Sequence, residues 1–296
     1  MNFGSIMTAM VTPFTESGDI DYTATRNLIN HLLANGTDSL VVAGTTGESP
    51  TLTNEEKVEL FKFTVQTVAG RAPVIAGTGS NSTRESIDLT IQAEEAGVDG
   101  IMLVVPYYNK PCQEGLYQHF KTIAQTTTLP VMLYNIPGRS AVNMLPETII
   151  RLADVPNITS VKEASGDLDA VASIIEHTGD DFFVYTGDDS STLPVLAIGG
   201  TGVVSVSAHI IGNEMQEMIH QFRSGNTKQA AAIHRRLLPI MKAMFAAPNP
   251  SPTKAALNLT GVPVGGVRLP MIALSDEEVA SLKNVLELDD RAAVGF

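Results

Sequence analysis

The sequence predicts an α/β fold: a (β/α)8 TIM barrel with a C-terminal helical domain. Short apolar runs rich in β-branched residues recur eight times, at intervals of roughly 20 to 35 residues. The segments between these runs carry helical periodicity, and each is long enough for a crossover helix. The runs are continuously apolar rather than alternating, which is typical of parallel strands buried on both faces. The length of 296 residues also suits such a barrel, which commonly uses about 250 residues.

The eight predicted strands are, in order, residues 6–11, 39–43, 73–76, 100–105, 130–134, 159–162, 182–185 and 202–206. Helix starts are indicated by the capping-box spacing of Thr53 with Glu56, Ser82 with Glu85 and Ser275 with Glu278. Helix ends are indicated by glycines that stand just before a strand, where a left-handed cap is needed: Gly36, Gly97 and Gly199. The repeated unit is therefore strand, loop and helix.

A doubly wound sheet is the competing architecture. It usually carries a glycine-rich phosphate fingerprint after its first strand, whereas this chain has Thr-Pro-Phe at residues 12–14. Eight units favour the closed barrel, which we assign to residues 1–224. Residues 225–296 are assigned to the C-terminal helical domain, with helical patterns at 228–245, 252–259 and 276–286 and a proline-rich break at 247–252.

Composition excludes several classes of protein. Lys and Arg total 19 against 32 Asp and Glu, so the net charge of −13 argues against nucleic-acid binding. Hydrophobic residues make up 44% of the chain, enough to bury a large core, which argues against disorder. The single cysteine, Cys112, excludes an internal disulfide framework and a Cys-rich zinc site, and it is interpreted as a small apolar filler. We expect an unprocessed cytoplasmic protein, because residues 1–14 show no basic leader and no run approaches the length of a membrane helix.

Catalytic groups of a barrel are expected at the carboxyl ends of its strands. The second strand runs into Gly-Thr-Thr-Gly-Glu at residues 44–48. Two hydroxyls and glycine-permitted backbone donors can converge there on a small anion such as a carboxylate. A simple tight turn is the alternative interpretation of this segment.

Lys162 interrupts the sixth buried strand. Side-chain alternation places it on one face with Ser160 and Ala164. Burying a lysine is costly, and desolvation favours the neutral amine, so the position predicts a nucleophilic amine. A structural ion pair with Glu163 is the alternative, although adjacent strand residues point to opposite faces.

The fifth strand ends in Tyr-Asn-Ile-Pro-Gly-Arg at residues 134–139. Tyr134 would stand at the barrel mouth next to Lys162, where a phenol can relay protons. Arg139, on the following loop, could bind a carboxylate in bidentate fashion. Core packing for the tyrosine and a solvated surface position for the arginine are the alternatives.

Two further groups of polar residues follow strands. Tyr107 and Tyr108 lie in the proline-flanked loop after the fourth strand, and such tyrosines often mark interfaces. Asp188 and Asp189 follow the seventh strand and His209 follows the eighth. Three scattered ligands without defined spacing are weak evidence for a divalent metal, and we predict no metal site.

Taken together, these motifs resemble the dihydrodipicolinate synthase / N-acetylneuraminate lyase family, and the dihydrodipicolinate synthase branch most closely. The resemblance spans essentially the whole chain and rests on residues 44–48, 106–111, 134–139, 162–166, 202–206 and 268–270, all in the expected order. It implies an eight-stranded α/β barrel with a C-terminal helical domain. This is the architecture that the strand pattern predicts.

The resemblance implies that Lys162 forms a Schiff base with pyruvate, whose enamine attacks L-aspartate 4-semialdehyde in the first committed step of the diaminopimelate route to lysine. No metal or organic cofactor is implied. Thr46 and Tyr134 would form a proton relay, and Tyr108 would be contributed by the neighbouring subunit of a tight dimer. The implied assembly is a homotetramer made of two such dimers.

The same resemblance implies that Thr45 and Thr46 contact the pyruvate carboxylate. It also implies that Arg139 binds the semialdehyde carboxylate and that Gly187 and Val204 line the pocket. N-acetylneuraminate lyase and 2-keto-3-deoxy sugar acid aldolases share the Schiff base but act on polyhydroxylated substrates and generally lack this arginine. A non-catalytic pyruvate-binding protein is the remaining alternative, but such a protein is expected to lack the lysine or a relay hydroxyl, and this chain retains them all.

The family often carries an allosteric lysine site, which matches Ser49, Asn81, Glu85 and Tyr107 here. Lysine-sensitive members tend to have histidines where this chain has Asn54 and Lys57. A lysine side chain would repel a cationic inhibitor. We therefore predict weak or absent inhibition by lysine.

Overall fold

The computed structural model of the chain describes residues 2–287. Eight parallel strands close into a barrel in chain order, with the last strand paired to the first. They are β1 Ile6–Ala9, β2 Ser39–Val42, β3 Val74–Gly77, β4 Gly100–Val104, β5 Val131–Asn135, β6 Ile158–Glu163, β7 Phe183–Thr186 and β8 Gly202–Ser205. All eight predicted strands are confirmed, with differences only at their ends.

The helices of the barrel are α1 Tyr22–Ala34, α2 Asn54–Val68, α3 Thr83–Glu95, α4 Gln113–Ala124, α5 Pro137–Ser140, α6 Pro146–Ala153, α7 Leu168–His177, α8 Thr192–Ala197 and α9 Ala208–Arg223. Three more follow them: α10 Thr227–Ala243, α11 Ser251–Leu259 and α12 Asp276–Val285. The helical part after the barrel is thus present, while the domain boundary at residue 224 stays a prediction.

Local signals explain where several helices begin and end. Thr53 and Ser275 form complete capping boxes at the starts of α2 and α12. Ser82 accepts from the backbone of Glu85, but the Glu85 carboxylate accepts from Ser80 Oγ instead of returning to the cap. That predicted box is therefore only half formed. The predicted glycine caps all have left-handed φ angles, which are 82° at Gly36, 86° at Gly97 and 101° at Gly199.

The core has two layers. Side chains that point into the barrel form one buried cluster, which includes Met7, Val41, Met102, Tyr134 and Tyr185. A larger cluster fills the space between the strands and the surrounding helices. Phe3 closes the amino-terminal end of the barrel, where a side chain at Gly100 would come within 2.7 Å of its ring. The open end is therefore the carboxyl end of the strands.

Helix α11 and the segment that follows it pack against the barrel and the loop after β1. Leu257 and Val264 belong to the same buried cluster as residues of the strands. The backbone N–H of Phe14, in the loop after β1, donates to the carbonyl of Val264 at 3.1 Å. Across residues 2–287, no helix combines the length and apolarity needed to cross a lipid bilayer.

Candidate active site

Lys162 lies inside the barrel near the carboxyl end of β6. Its neighbours in register are Tyr134 on β5 and Tyr185 on β7. The side chain is buried, and Nζ lies 4.0 Å from the centroid of the Tyr134 ring. Within residues 2–287, no carboxylate forms an ion pair with this ammonium. The site thus holds a buried lysine side chain against the ring of a tyrosine, and its role as a nucleophile stays a prediction.

Glu163 points away from Lys162 and has its own partners. Its carboxylate accepts from the backbone N–H of Ser165 at 2.7 Å and from Asn135 Nδ2 at 2.8 Å. Asn135 Oδ1 in turn accepts from the backbone of Met144 at 3.0 Å. Burial raises the pKa of Glu163. The alternative ion pair between Lys162 and Glu163 is therefore wrong, and Glu163 instead helps to fix the segment that follows α5.

Gly187 provides space for the Lys162 side chain. A Cβ at this position would lie 2.8 Å from Lys162 Cε and 2.7 Å from the Cβ of Ala164. The backbone N–H of Gly187 donates to the carbonyl of Glu163 at 2.8 Å. Val204 is fully buried inside the barrel, where it pairs with Met7 of β1. Of the two predicted pocket residues, Gly187 thus lies against Lys162, and Val204 lies inside the barrel on β8.

A cavity of about 260 Å³ opens beside Tyr134. It is lined by Ala43, Gly44, Thr45, Ser49, Pro50, Lys57, Gly77, Gly79, Ser80, Met102, Val104, Tyr107, Tyr134, Ile136, Arg139 and Ser140. These lining residues include two cations, Lys57 and Arg139, and no carboxylate, although acidic residues outnumber basic ones in the chain. The local charge therefore favours anionic ligands, because the cations stand at the cavity itself.

Arg139 lies on α5, the single helical turn after β5, and its side chain is exposed at the cavity. The turn is fixed by Ser140, whose hydroxyl lies 3.0 Å from the carbonyl of Ile136 and 2.8 Å from that of Val142. A guanidinium held in this way can bind a carboxylate that enters the cavity. Arg139 therefore lies at the cavity, and its role in binding a carboxylate stays a prediction.

The two threonines of residues 44–48 face different surroundings. Thr45 lines the cavity together with Tyr134, whereas Thr46 is buried and is not among the lining residues. Thr46 Oγ1 accepts a hydrogen bond from Asn249 Nδ2 at 2.8 Å. The family resemblance implies a relay role for Thr46, but Thr45 is the threonine that lines the cavity together with Tyr134. Strand alternation could not separate the two, because Ala43 is left-handed and breaks the alternation.

Tyr108 projects away from the barrel. Its φ angle is 74°, and 89% of its surface is exposed. The loop is fixed by Asn81, whose side chain donates to the Tyr107 carbonyl at 3.1 Å and whose own carbonyl accepts from Asn109 at 2.9 Å. Within one chain, Tyr108 is thus an exposed aromatic residue rather than part of the pocket around Lys162.

The positions predicted for a lysine effector adjoin the same cavity. Ser49 and Tyr107 line it, and Asn81 binds the backbone of Tyr107. Lys57 also lines it, where burial lowers the pKa of this lysine and the charge of Glu85 opposes the shift. A cation of the protein itself therefore stands where a cationic effector would have to approach.

The candidate metal residues have other partners. Asp189 is buried and accepts from the backbone of Val206 and Ser207, at 3.1 and 2.9 Å, and from the hydroxyl of Ser205. His209 Nε2 accepts from the backbone of Val11 at 3.2 Å, and burial lowers the pKa of this histidine to about 4. No three His, Cys, Asp or Glu side chains in the described part of the chain could hold a metal ion together.

The burial predicted for one residue is wrong, and the contacts of three other residues were not predicted. Cys112 is exposed, so it is not an apolar filler. Asn249, Lys254 and Glu48 make buried contacts around residues 44–48 that were not predicted. A signal was present for Lys254, because it stands three residues before Leu257 on the apolar face of α11. Asn249 was hidden in the proline-rich break.

Comparison with known proteins gives a consistent result. The model of the dihydrodipicolinate synthetase family matches residues 2–288. The 4-hydroxy-tetrahydrodipicolinate synthase of Bacillus velezensis is 62% identical over 286 residues, covering 97% of this chain and 99% of the relative.

Solved structures agree with that match. Dihydrodipicolinate synthase DapA-2 from Bacillus anthracis is 55% identical, with a TM-score of 0.96 over 98% of this chain and 100% of the other. A dihydrodipicolinate synthase from Cyanidioschyzon merolae, described with lysine bound, is 49% identical, with a TM-score of 0.95 over 96% of this chain and 97% of the other.

Proposed function

Because this chain belongs to the dihydrodipicolinate synthetase family, we propose that it condenses pyruvate with L-aspartate 4-semialdehyde to 4-hydroxy-tetrahydrodipicolinate. This reaction is the first committed step of the diaminopimelate route to lysine. Lys162 is the observation that carries the proposal: a buried amine without a carboxylate partner within residues 2–287, beside a cavity that is lined by cations. The single cysteine supports a reducing, cytoplasmic location.

The amine of Lys162 attacks the ketone carbon of pyruvate, and loss of water leaves an imine. A proton then leaves the methyl group, and the resulting enamine forms a carbon–carbon bond to the aldehyde of the second substrate. The amino group of that substrate attacks the imine carbon, which closes the ring and releases Lys162. The protonated imine nitrogen accepts electrons when the methyl proton leaves and when the amino group attacks, and the enamine nitrogen donates electrons when the carbon–carbon bond forms, so the route calls for no metal or organic cofactor.

These steps need a relay of protons at the amine. Tyr134 is suited to the relay because its ring lies against Nζ of Lys162. A threonine hydroxyl of residues 44–48 is its partner. The sequence assigns the relay to Thr46 and the pyruvate carboxylate to Thr45, and the position of Thr45 on the cavity supports the reverse assignment.

The two substrates carry carboxylates that need separate partners. We assign the carboxylate of the semialdehyde to Arg139, which lines the cavity. Gly187 lies against Lys162 and Val204 lies inside the same barrel, and we assign both to the pocket for pyruvate. A sugar substrate would not need this arginine, which supports the semialdehyde over the sugar aldehydes of related lyases.

The test measures pyruvate consumption by wild type, by Lys162→Ala and by the surface control Lys62→Ala. Each is assayed with L-aspartate 4-semialdehyde, N-acetylmannosamine and simple sugar aldehydes. We expect turnover only with the semialdehyde, full activity in Lys62→Ala and none in Lys162→Ala. Borohydride should trap a pyruvate adduct, detected by mass, in wild type and in Lys62→Ala. Turnover confined to sugars would refute the substrate assignment, and no turnover would favour a pyruvate-binding protein.

We further propose that two chains form a tight dimer in which Tyr108 of each completes the relay of the other, and that two dimers form a tetramer. The exposure and left-handed backbone of Tyr108 support this, because a large aromatic side chain is held out into solvent. Enzyme activity and molecular mass are measured on the same dilution series, the mass by sedimentation. A stable and fully active monomer would contradict the proposal.

We also propose that L-lysine inhibits weakly or not at all, because the cation of Lys57 repels another ammonium beside Ser49, Tyr107, Asn81 and Glu85. Inhibition curves are measured for wild type and for Lys57→Ala, in which inhibition should become stronger. A midpoint in the micromolar range for wild type would refute this expectation.

A further inference from the structure

The loop at residues 44–48 has an unusual backbone. It is flanked by Ala43, with a φ angle of 52°, and ends at Glu48, with a φ angle of 57°. A left-handed residue other than glycine costs on the order of 1–3 kcal/mol and persists only where its surroundings hold it. The contacts that hold this loop therefore decide where its hydroxyls point.

Several of those contacts come from the C-terminal helical part. Lys254 Nζ lies 2.7 Å from Glu48 Oε1, and both side chains are 2% exposed. The other carboxylate oxygen of Glu48 accepts from the backbone N–H of Arg268 at 2.9 Å. Lys254 also donates to the carbonyl of Gly266 at 2.6 Å. The end of the loop is thus fixed to α11 and to the segment after it.

Asn249 makes the contact nearest to the chemistry. Its side chain is buried, and Nδ2 donates to Thr46 Oγ1 at 2.8 Å. A hydroxyl has one proton to donate and two lone pairs that accept. Because the amide of Asn249 occupies a lone pair, the proton of Thr46 is directed to a different acceptor. Asn249 Oδ1, which could have taken that proton, has no partner within residues 2–287.

We propose that Asn249 is a positioning residue of the active site, which acts through Thr46 and keeps its hydroxyl as a proton donor toward the bound substrate. The inference rests on the proposed function, in which the threonines of this loop serve the relay and the pyruvate carboxylate. It gives the segment after the barrel an indirect role in catalysis, through the orientation of Thr46.

The test uses Asn249→Asp, Asn249→Ala, Thr46→Val and the double variant Asn249→Ala/Thr46→Val. A carboxylate only accepts, so Asn249→Asp draws the Thr46 proton toward itself and should lower kcat by on the order of tenfold or more. Asn249→Ala should also lower kcat. Without the Thr46 hydroxyl, however, the same change should have little further effect, so the two single effects should not multiply.

Asn258→Ala is the matched control. Asn258 lies on α11, the helix that follows Asn249, and its side chain forms hydrogen bonds with the backbone of Gly265 and Val264 instead of with residues 44–48. It should lower stability in urea unfolding while leaving kcat unchanged. An equal loss of kcat in Asn258→Ala would mean that Asn249 only stabilises the helical part, which overturns the inference.

Two further outcomes overturn it: wild-type kcat in both Asn249 variants, or independent effects of Asn249→Ala and Thr46→Val. If Asn249→Asp does not fold, the cycle of Asn249→Ala and Thr46→Val alone decides. Failure of the wild type to trap pyruvate with borohydride would instead remove the proposed function, and this inference with it. The two failures are therefore distinguishable.

Discussion

Gly187→Ala is the perturbation that tests most directly how the barrel positions its lysine. The new Cβ would lie 2.8 Å from Lys162 Cε and 2.7 Å from the Cβ of Ala164. Carbon atoms pack at about 3.5–4.0 Å, so each neighbour would have to move by roughly 1 Å. The Ala164 Cβ is tied to the backbone, whereas Lys162 Cε is near the end of a flexible chain. Most of the shift should therefore fall on the amine.

The expected size of the effect follows from that displacement. A reacting group misplaced by about 1 Å can cost on the order of 100-fold in rate. Adding a methyl group to a packed interior costs about 1–3 kcal/mol of stability. We therefore expect Gly187→Ala to fold and to lose on the order of 100-fold in kcat/KM, with slower trapping of pyruvate by borohydride.

Gly179→Ala is the matched control for the assay of pyruvate consumption and for urea unfolding. A Cβ at Gly179 also meets an atom at 2.8 Å, but that atom is a carboxylate oxygen of Asp181, an exposed side chain that can move away. The control should keep wild-type activity. Wild-type kcat/KM in Gly187→Ala would refute the view that the missing side chain places Lys162.

Three other variants test separate parts of the site. Arg139→Ala should raise KM for the semialdehyde by about tenfold, as expected for loss of a charged hydrogen bond, and leave KM for pyruvate unchanged; an equal rise for both would contradict the assignment. Lys254→Met should lower the free energy of unfolding by about 3–5 kcal/mol, because Glu48 would stay buried without its partner, and adding Glu48→Gln should restore much of the loss. Burial raises the pKa of Glu163, so the folded state holds the proton of this carboxyl group more tightly than the unfolded state does. The resulting stabilisation is complete below the ordinary pKa of 4.5 and is lost as the pH rises through the raised pKa. Glu163→Gln should therefore gain stability relative to wild type between pH 4.5 and pH 7 in urea unfolding, and a constant difference would refute this.

Most of the fold could be predicted from the sequence because its signals are local. Buried parallel strands need continuous apolar runs, and a chain that leaves a helix just before a strand needs a left-handed residue such as Gly36 or Gly97. Lys162 was found for the same reason, since a charged residue inside a buried run is conspicuous. The half-formed box at Ser82 shows the limit, because the Glu85 carboxylate had a second donor within reach in Ser80.

The rest of the site depends on contacts between residues far apart in the chain. Asn249 and Thr46 are separated by 203 positions, and no spacing rule connects them. The orientation of Thr45 and Thr46 depends on the left-handed φ angles of Ala43 and Glu48. These angles could not be predicted from the sequence, because neither residue is glycine. Where alternation fails in this way, adjacent hydroxyls cannot be assigned to faces from their order.

The contacts of Asn249 and Lys254 also bear on protein synthesis. Both residues follow β8, so a ribosome synthesises all eight strands before it adds either of them. The loop at residues 44–48 therefore lacks the side chains that fix it until the chain has been extended well past the barrel. The geometry of this active-site loop is therefore completed only when a late part of the chain has been synthesised and has folded onto the strands.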